Sequence, residues 1–196
     1  MSYHGSMNAE AVALRMTHAE YCAFEREATI KHEYLAGEVF AMTGGTLEHS
    51  RLAVQLAHLF VNALEGRPCR VLSADARVRI EAVDVDTYPD LSIVCGPPET
   101  ADADDHALLN PTLLAEVLSK STEAYDRGLK ASNYRQIPSL RAYLLVSQDR
   151  QRLELQVRQA DGRWLIVEAG PGQKLPIEPL AIELDVDALY RDAFTE

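Results

Sequence analysis

The sequence predicts an α/β fold, a three-layer sandwich in which helices flank a mixed central β-sheet. Two observations predict it. First, segments with helical and with strand periodicity follow one another in the order αββαβββ(β)αβββ. Second, 47% of the 196 residues are hydrophobic and 25% are charged, which is the composition of an ordinary globular domain. We therefore expect a single domain over residues 14–196, preceded by a leader over residues 1–13 that is disordered or foreign to the natural chain.

The predicted helices begin and end at residues that favour helix termini. Thr17 and Glu20 form a capping box, in which each side chain satisfies a backbone donor that the helix leaves unpaired. Gly66 closes the long second helix, whose apolar residues recur at helical spacing. Ser121 or Thr122 caps the third helix. The predicted helices cover about residues 17–28, 47–65, 121–136 and 186–190.

The predicted strands are short runs of β-branched or alternating apolar residues. Ala36-Gly37 and Asp161-Gly162 supply tight turns between two pairs of them. The acidic, proline-flanked run GPPETADADDH, residues 96–106, is expected to be a solvated loop. The predicted strands cover about residues 31–35, 38–43, 70–73, 77–81, 91–95, 113–119, 141–147, 152–158, 163–169 and 177–183.

Composition limits the partners and the compartment that we expect. With 30 acidic and 19 basic residues, the net charge is −11, which repels a polyanion and counts against nucleic-acid binding. The three cysteines form no CxxC pair, so we expect neither a disulfide framework nor a zinc site, and a reduced, cytoplasmic setting. Since no apolar run approaches about 20 residues, we expect no membrane span.

Two carboxylates lie in or next to apolar strands, where burying a charged group is energetically unfavourable. Asp90 begins an apolar strand directly after Pro89, and Glu116 lies inside another predicted strand, between Ala115 and Val117. A carboxylate in an apolar strand is expensive to bury unless it is paired, protonated or bound to a metal. Two such carboxylates can meet at one face of a sheet, where hard cations such as Mg²⁺ take oxygen ligands. Taken singly, Asp90 is also compatible with an ordinary turn residue and Glu116 with a solvated strand residue.

Three motifs, in their order along the chain, resemble a known family. TYPDLSIVCG contains Asp90, EVLSKST begins with Glu116, and DRGLKASNY precedes the apolar strand AYLLVS. Together they resemble the Uma-type family of restriction-endonuclease-like proteins, within the PD-(D/E)XK nuclease superfamily. The upstream run LAGEVFAMTGGTLEHSRLAVQLAHLF is similar to the family's strand and helix, so the resemblance covers about residues 14–192. It implies a restriction-endonuclease-like sandwich and metal-dependent hydrolysis of a phosphodiester.

The resemblance also implies the ligands of the metal. By the superfamily pattern, Asp90 and Glu116 hold the ion together with the backbone carbonyl of Val117. The implied ion is Mg²⁺, with Mn²⁺ as a substitute. Such an ion orients the phosphate, lowers the pKa of a bound water and offsets the charge of the transition state.

The lysine of the superfamily pattern is displaced in this sequence. It normally lies two residues after the glutamate, where this chain has Leu118. The Uma-type pattern resembles one in which the lysine has moved to the following helix, which indicates Lys130 in DRGLK. There it would help to generate hydroxide and stabilise negative charge. Two alternatives stay open: Lys120 supplies the cation, or Lys130 is a solvated helix residue paired with Asp126.

Three upstream residues complete the candidate site. Glu38 matches the glycine-acid pair that follows an aromatic strand in the family, although a solvated hairpin glutamate would look the same. His49, in the first turn of the long helix, resembles a residue of the family pattern, although a histidine there is often only exposed. Asp75 in SADARVRI is a further candidate for a hydrogen bond near the site.

Three functions are compatible with these residues. The first is a Mg²⁺-dependent endonuclease that acts on DNA rather than RNA, as a homodimer, since restriction-like nucleases often pair to cut both strands. The second is a non-catalytic interaction or regulatory protein on a nuclease scaffold, which the displaced lysine and the acidic charge favour. The third is a metal-dependent hydrolase of small phosphate esters. The sequence contains no GxSxG, GxxxxGK(S/T) or HExxH motif, so other hydrolase chemistries lack support.

Overall fold

Two mixed β-sheets, a two-stranded antiparallel sheet and the helices around them form the part of the chain that the computed structural model describes, residues 14–101, 104–191 and 193. The expected leader, residues 1–13, lies outside the described residues. The strands are β1 (Leu14–Arg15), β2 (His32–Leu35), β3 (Glu38–Ala41), β4 (Cys69–Ser73), β5 (Arg77–Ile80), β6 (Val85–Thr87), β7 (Leu91–Cys95), β8 (Thr100–Ala101), β9 (Asp104–Leu108), β10 (Leu113–Leu118), β11 (Ala142–Ser147), β12 (Leu153–Arg158), β13 (Trp164–Ala169), β14 (Lys174–Ile177) and β15 (Ile182–Asp185).

The helices follow the predicted positions closely. They are α1 (His18–Glu27), α2 (Leu47–Ala63), α3, which continues through Glu123–Tyr125, Asp126–Lys130 and Ala131–Tyr134, and α4 (Val186–Leu189). The capping box is confirmed, because Glu20 N–H donates to Thr17 Oγ1 at 3.3 Å and Thr17 N–H donates to Glu20 Oε2 at 2.7 Å. The middle stretch of α3 is a π-helical turn, a feature frequent at functional sites. None of the helices in this part of the chain is long and apolar enough to span a membrane.

The larger core surrounds a six-stranded sheet in the order β13-β12-β11-β10-β7-β4. β10 and β11 run parallel, and the other neighbouring pairs of this sheet are antiparallel. α2 packs on one face through the fully buried Leu52, Leu56 and Phe60. α3 packs on the other face through Ala131 and Tyr134. The predicted mixed central sheet between layers of helices is therefore confirmed.

Alternation along β10 determines which face Glu116 occupies. Ala115 and Val117 belong to the core on the α2 side. Leu114 and Leu118 belong to the core on the α3 side. Successive side chains of a strand point to opposite faces, so Glu116 shares the α3 face. Every residue of β10 is buried, so this carboxylate needs partners within the protein.

A second mixed sheet, which the sequence did not predict as a separate unit, has the order β1-β3-β2-β6-β5-β9-β8. α1 packs against it through Tyr21 and Cys22. The sheet corrects the expectation of a solvated loop over residues 96–106, because β8 and β9 lie there. Asp104, the first residue of β9, is buried in an ion pair with the buried Arg77. A buried aspartate requires such a partner, and sequence spacing did not indicate which arginine supplies it.

Two further expectations are corrected at the strands. Cys69 and Cys95 lie opposite each other in the antiparallel pair of β4 and β7 and form a disulfide, whereas none was expected. The strand expected over residues 177–183 is instead a hairpin of β14 and β15. Pro179 lies in the turn between them, and Ala181 has a φ of +49°, which interrupts the extended chain.

Candidate active site

Asp90 and Glu116 meet where β7 and β10 lie side by side. Asp90 directly precedes β7, and its Oδ2 accepts a hydrogen bond from the backbone N–H of Val117 at 2.7 Å. Val117 follows Glu116 in β10, so this bond fixes one carboxylate beside the other. It results from the antiparallel register of the two strands, in which Leu91 lies opposite Ala115. The structure therefore brings the two predicted carboxylates into one site.

Lys130 brings a cation to these carboxylates from α3. Its Nζ lies 2.7 Å from Glu116 Oε1, 3.6 Å from Glu33 Oε1 and 3.7 Å from Asp126 Oδ1. Only 7% of Lys130 is exposed, so this is not the solvated helix residue of the alternative interpretation. Lys120 is exposed in the turn between β10 and α3. Of the two candidate lysines, the structure brings Lys130 to Glu116.

α3 presents three polar side chains to the site. Asp126, Lys130 and Tyr134 follow one another at intervals of four residues, and all three are buried. Tyr134 OH donates to Glu116 Oε1 at 2.7 Å, so this oxygen binds both the phenol and the ammonium. The ring of Tyr143 lies edge-on to that of Tyr134, with 5.0 Å between centroids, and its OH donates to the carbonyl of Asp126 at 3.1 Å. These contacts fix α3 against β10 and β11.

His49 reaches the site from the first turn of α2. Its Nε2 lies 3.1 Å from Asp90 Oδ2. The hydrogen bond with Asp90 raises the pKa of the imidazole above its ordinary value, although burial acts in the opposite direction. Gly45 leaves the space that the ring fills, because a Cβ at this position would lie 2.8 Å from His49 Nδ1. Gly45, which precedes α2, therefore helps to position the histidine.

The structure does not bring Glu38 to this site, which corrects the prediction for that residue. Glu38 lies in β3, where its Oε1 is 2.7 Å from Arg15 Nη2 and its side chain is 37% exposed. Strand order explains the difference, because β2 lies next to β6, which leads to Asp90, and β3 lies one strand further out. Glu33 of β2 takes the position instead. It continues the β2–β6 register opposite Thr87, whose hydroxyl donates to Glu33 Oε1.

Glu33, Asp126 and Tyr134 were not among the predicted site residues. Asp126 had been considered only as a helix partner of Lys130. The four-residue intervals from Asp126 through Lys130 to Tyr134 are a signal that places a carboxylate, an ammonium and a phenol on one helix face. Asp75, the further candidate, is on the surface, where its side chain is 83% exposed and pairs with a lysine.

Burial makes two carboxylic acids of the site, Glu116 and Asp126, weaker than usual. It raises the pKa of Glu116 to about 8; the Lys130 ammonium opposes this rise, and repulsion from Asp90 and Asp126 adds to it. Burial likewise raises the pKa of Asp126. Burial alone would lower the pKa of Lys130, but the charges of Glu116, Glu33 and Asp126 raise it well above its ordinary value. Glu33, Glu116 and Asp126 thus lie within 4 Å of one firmly protonated ammonium. Together with Asp90, whose Oδ2 bonds the residue after Glu116, we call them the carboxylate cluster.

The oxygen atoms of the carboxylate cluster suit a hard divalent cation. Mg²⁺ takes one or two carboxylates and completes its octahedron with water and substrate phosphate. Within the described ranges, no three His, Cys, Asp or Glu side chains form a ready-made metal cage. Mg²⁺ needs only one or two carboxylates, and Asp90 and Glu116 can provide them without such a cage. In a strand, the N–H and C=O of one residue point to the same side. The Val117 N–H points to Asp90, so the Val117 carbonyl also lies on the side of Asp90.

Comparison with known proteins gives matches over most of the chain. The model of the Uma2 family, described as "Putative restriction endonuclease", matches residues 18–188. The uncharacterized protein slr1290 of Synechocystis sp. is 36% identical over 177 residues, which are 90% of this chain and 92% of that protein. The uncharacterized protein sll1609 of the same organism is 35% identical over 153 residues, which are 78% of this chain and 86% of that protein.

A solved structure is similar in fold. The crystal structure of a putative nuclease belonging to DUF820 from Anabaena variabilis has a TM-score of 0.66 at 16% sequence identity. The match covers 84% of this chain and 92% of that chain. At this level of identity the likeness concerns the fold alone, and it confirms the predicted restriction-endonuclease-like sandwich.

Proposed function

Because the chain belongs to the Uma2 family of putative restriction endonucleases, we propose that it hydrolyses DNA phosphodiester bonds with Mg²⁺ or Mn²⁺. The family predicted from the motifs is confirmed, and membership supports a nuclease function. The metal and the DNA substrate are proposals that rest on the site.

The convergence of Asp90, Glu116 and Lys130 carries the proposal. The three residues lie in a loop, a strand and a helix, yet Asp90 bonds the residue after Glu116 and Lys130 Nζ lies 2.7 Å from Glu116 Oε1. The position that holds the superfamily's lysine is the apolar Leu118. Lys130 therefore supplies from α3 the cation that β10 does not carry.

Each residue has a defined part in the proposed reaction. Asp90, Glu116 and the carbonyl of Val117 would hold the divalent cation. When bound, Mg²⁺ would orient the phosphate, lower the pKa of a water and offset developing charge. His49 orients Asp90 through Nε2, and its side chain is 21% exposed, so the imidazole borders the space from which substrate arrives. Lys130 balances the charge of Glu116.

DNA and a second copy of the chain are the proposed partners. The net charge of −11 opposes a polyanion, so the divalent cation has to supply much of the attraction for a phosphate group. Two catalytic sites are needed to cut both strands in one encounter, which favours a homodimer. Light scattering of the purified protein tests the dimer, since a mass near 21.7 kDa would contradict it.

A cytoplasmic location stays a prediction. The disulfide between Cys69 and Cys95 weighs against it, because structural disulfides persist mainly in oxidising compartments. The redox state of the two cysteines in protein isolated under thiol-blocking conditions decides between the two settings.

The nuclease proposal is tested with supercoiled plasmid in Mg²⁺, Mn²⁺ or EDTA. We expect nicking only with a divalent cation, and a loss of about 100-fold or more in Asp90→Asn and Glu116→Gln. Glu38→Gln is the matched control, because it removes a similar charge outside the site and should cleave like the wild type. Cleavage at the wild-type rate in both Asp90→Asn and Glu116→Gln would contradict the assignment.

The acidic surface favours one second candidate, a metal-dependent hydrolase of small phosphate esters. A small substrate carries few phosphates, so a net charge of −11 repels it much less than it repels a duplex. Plasmid, single-stranded DNA, RNA and a nitrophenyl phosphodiester assayed with one preparation separate the two. Turnover of the ester alone supports this candidate. Absence of any turnover, with no Glu116-dependent Mn²⁺ binding in calorimetry, supports a non-catalytic scaffold.

A further inference from the structure

The buried position of Lys130 suggests a role beyond that of a catalytic cation. A lysine that contacts substrate has to present its ammonium to the opening of the site, but Lys130 is 7% exposed and points into the carboxylate cluster. We propose that the Lys130 ammonium and the divalent cation compete for this cluster, so that the cation has to displace the ammonium from Glu116. This competition rests on the proposed metal-dependent function and regulates the same site.

The bonds at Glu116 support the competition. Its Oε1 accepts from Tyr134 OH at 2.7 Å and lies 2.7 Å from Lys130 Nζ. A carboxylate oxygen has about two lone-pair directions, so these two donors occupy both of those on Oε1, and a cation that binds this oxygen has to displace one of them. Asp90 Oδ2 is filled in the same way by the Val117 N–H and His49 Nε2. Of these four donors, only the Lys130 ammonium carries a full charge on a flexible chain.

Electrostatic repulsion makes it unfavourable for the Lys130 ammonium and a divalent cation to occupy the carboxylate cluster together. The Lys130 ammonium lies within 4 Å of Glu33, Glu116 and Asp126, so a divalent cation held by Glu116 has to come close to it. Water and salt screen buried charges weakly, so the repulsion between the two cations is strong at this distance.

The displaced ammonium has other partners close by. Glu33 Oε1 and Asp126 Oδ1 lie 3.6 Å and 3.7 Å from Nζ, each about 1 Å beyond an ordinary hydrogen bond. The ring centroids of Tyr125 and Tyr134 lie 6.0 Å and 5.9 Å from Nζ, within the range at which an aromatic ring attracts a cation. The lysine chain turns readily about its methylene groups. The ammonium can therefore move from Glu116 toward Glu33 and Asp126 without becoming an unpaired buried charge.

The test is calorimetric titration of EDTA-treated protein with Mn²⁺ alone. We expect Lys130→Met and Lys130→Gln to bind Mn²⁺ about tenfold or more tightly than the wild type, because the competing cation is gone. Lys120→Met removes the same charge from an exposed turn and should leave the Kd unchanged. Thermal melting gives a second readout: Mn²⁺ should raise the Tm of the two Lys130 variants by more than it raises that of the wild type.

The possible results of these titrations distinguish failure of the metal-dependent function from failure of the competition. If the wild type binds no Mn²⁺ in a manner that depends on Glu116, the metal-dependent function itself fails. If the wild type binds Mn²⁺ but both Lys130 variants bind it equally or more weakly, Lys130 organises the ligands and the competition is wrong. If the variants are unfolded without metal, recovery of their folded circular dichroism with Mn²⁺ supports the competition. Failure to recover with saturating Mn²⁺ overturns it.

Discussion

Replacing Tyr134 by phenylalanine tests how the protein holds Glu116. Tyr134 is completely buried, and its OH donates to Glu116 Oε1 at 2.7 Å. Tyr143→Phe is a matched control, because Tyr143 is 1% exposed and its OH donates at 3.1 Å to the neutral backbone carbonyl of Asp126. Each substitution removes one phenolic oxygen from the same pair of edge-on rings. The difference between the two therefore reports on the charge of the acceptor.

The structure gives the expected magnitudes. A hydrogen bond to a charged group contributes about 1.5–3 kcal/mol to stability, and one between neutral groups about 0.5–1.5 kcal/mol. At about pH 9, Glu116 is ionised, because its pKa is about 8. We expect Tyr134→Phe to lower the free energy of unfolding there by about 1.5–3 kcal/mol, and Tyr143→Phe by about 0.5–1.5 kcal/mol.

The cost of Tyr134→Phe should also depend on pH. A carboxyl whose pKa is raised by folding binds its proton more tightly in the folded state, so its contribution to stability falls as pH rises from about 4.5 to about 8. At about pH 6, Glu116 is mostly neutral, and the cost of Tyr134→Phe should fall to that between neutral groups. Urea unfolding in EDTA, followed by circular dichroism, measures both. Equal costs of Tyr134→Phe and Tyr143→Phe at about pH 9 would refute the proposed charge of Glu116.

Three further outcomes follow from local features. Ala36→Gly should raise the free energy of unfolding by up to about 1 kcal/mol, because Ala36 has a φ of +46°, and a lower Tm would contradict this. Thr17→Ala should cost about 1 kcal/mol in urea unfolding through loss of the cap, and a neutral result would refute that contribution. Thiol titration of denatured, unreduced protein should find Cys22 alone, whereas reaction of Cys69 and Cys95 as well would contradict the disulfide.

Elements with local signals were predictable from the sequence. The capping box at Thr17 fixed the start of α1 to within one residue, because both partners lie within one helical turn. Pairings between distant strands were not predictable. Cys69 meets Cys95, and Arg77 meets Asp104, only because strands far apart in the sequence adopt one particular register. Spacing along the chain carries no information on that register.

The residues of the candidate site likewise include some that the sequence could reveal and some that it could not. Asp90 and Glu116 were recognisable because a carboxylate next to an apolar strand is anomalous whatever the fold around it. Glu33 and Glu38 belong to one hairpin, and their local sequence does not distinguish them. Which of the two reaches the site depends on β2, and not β3, lying against β6. Lys130 was identified by resemblance, since its distance from Glu116 along the chain is bridged only by the packing of α3 on β10.

The acidic charge and the buried cluster together determine an order of events for the proposed reaction. When its members are ionised, the carboxylate cluster holds four negative charges, three of them within 4 Å of the Lys130 ammonium, in a chain whose net charge is −11. A phosphodiester that approaches this site is repelled both by the mean field and by the cluster. A divalent cation is attracted by both. On the proposed function, the carboxylate cluster would therefore favour binding of a divalent cation before that of the phosphate, because the cation would reduce the local negative charge.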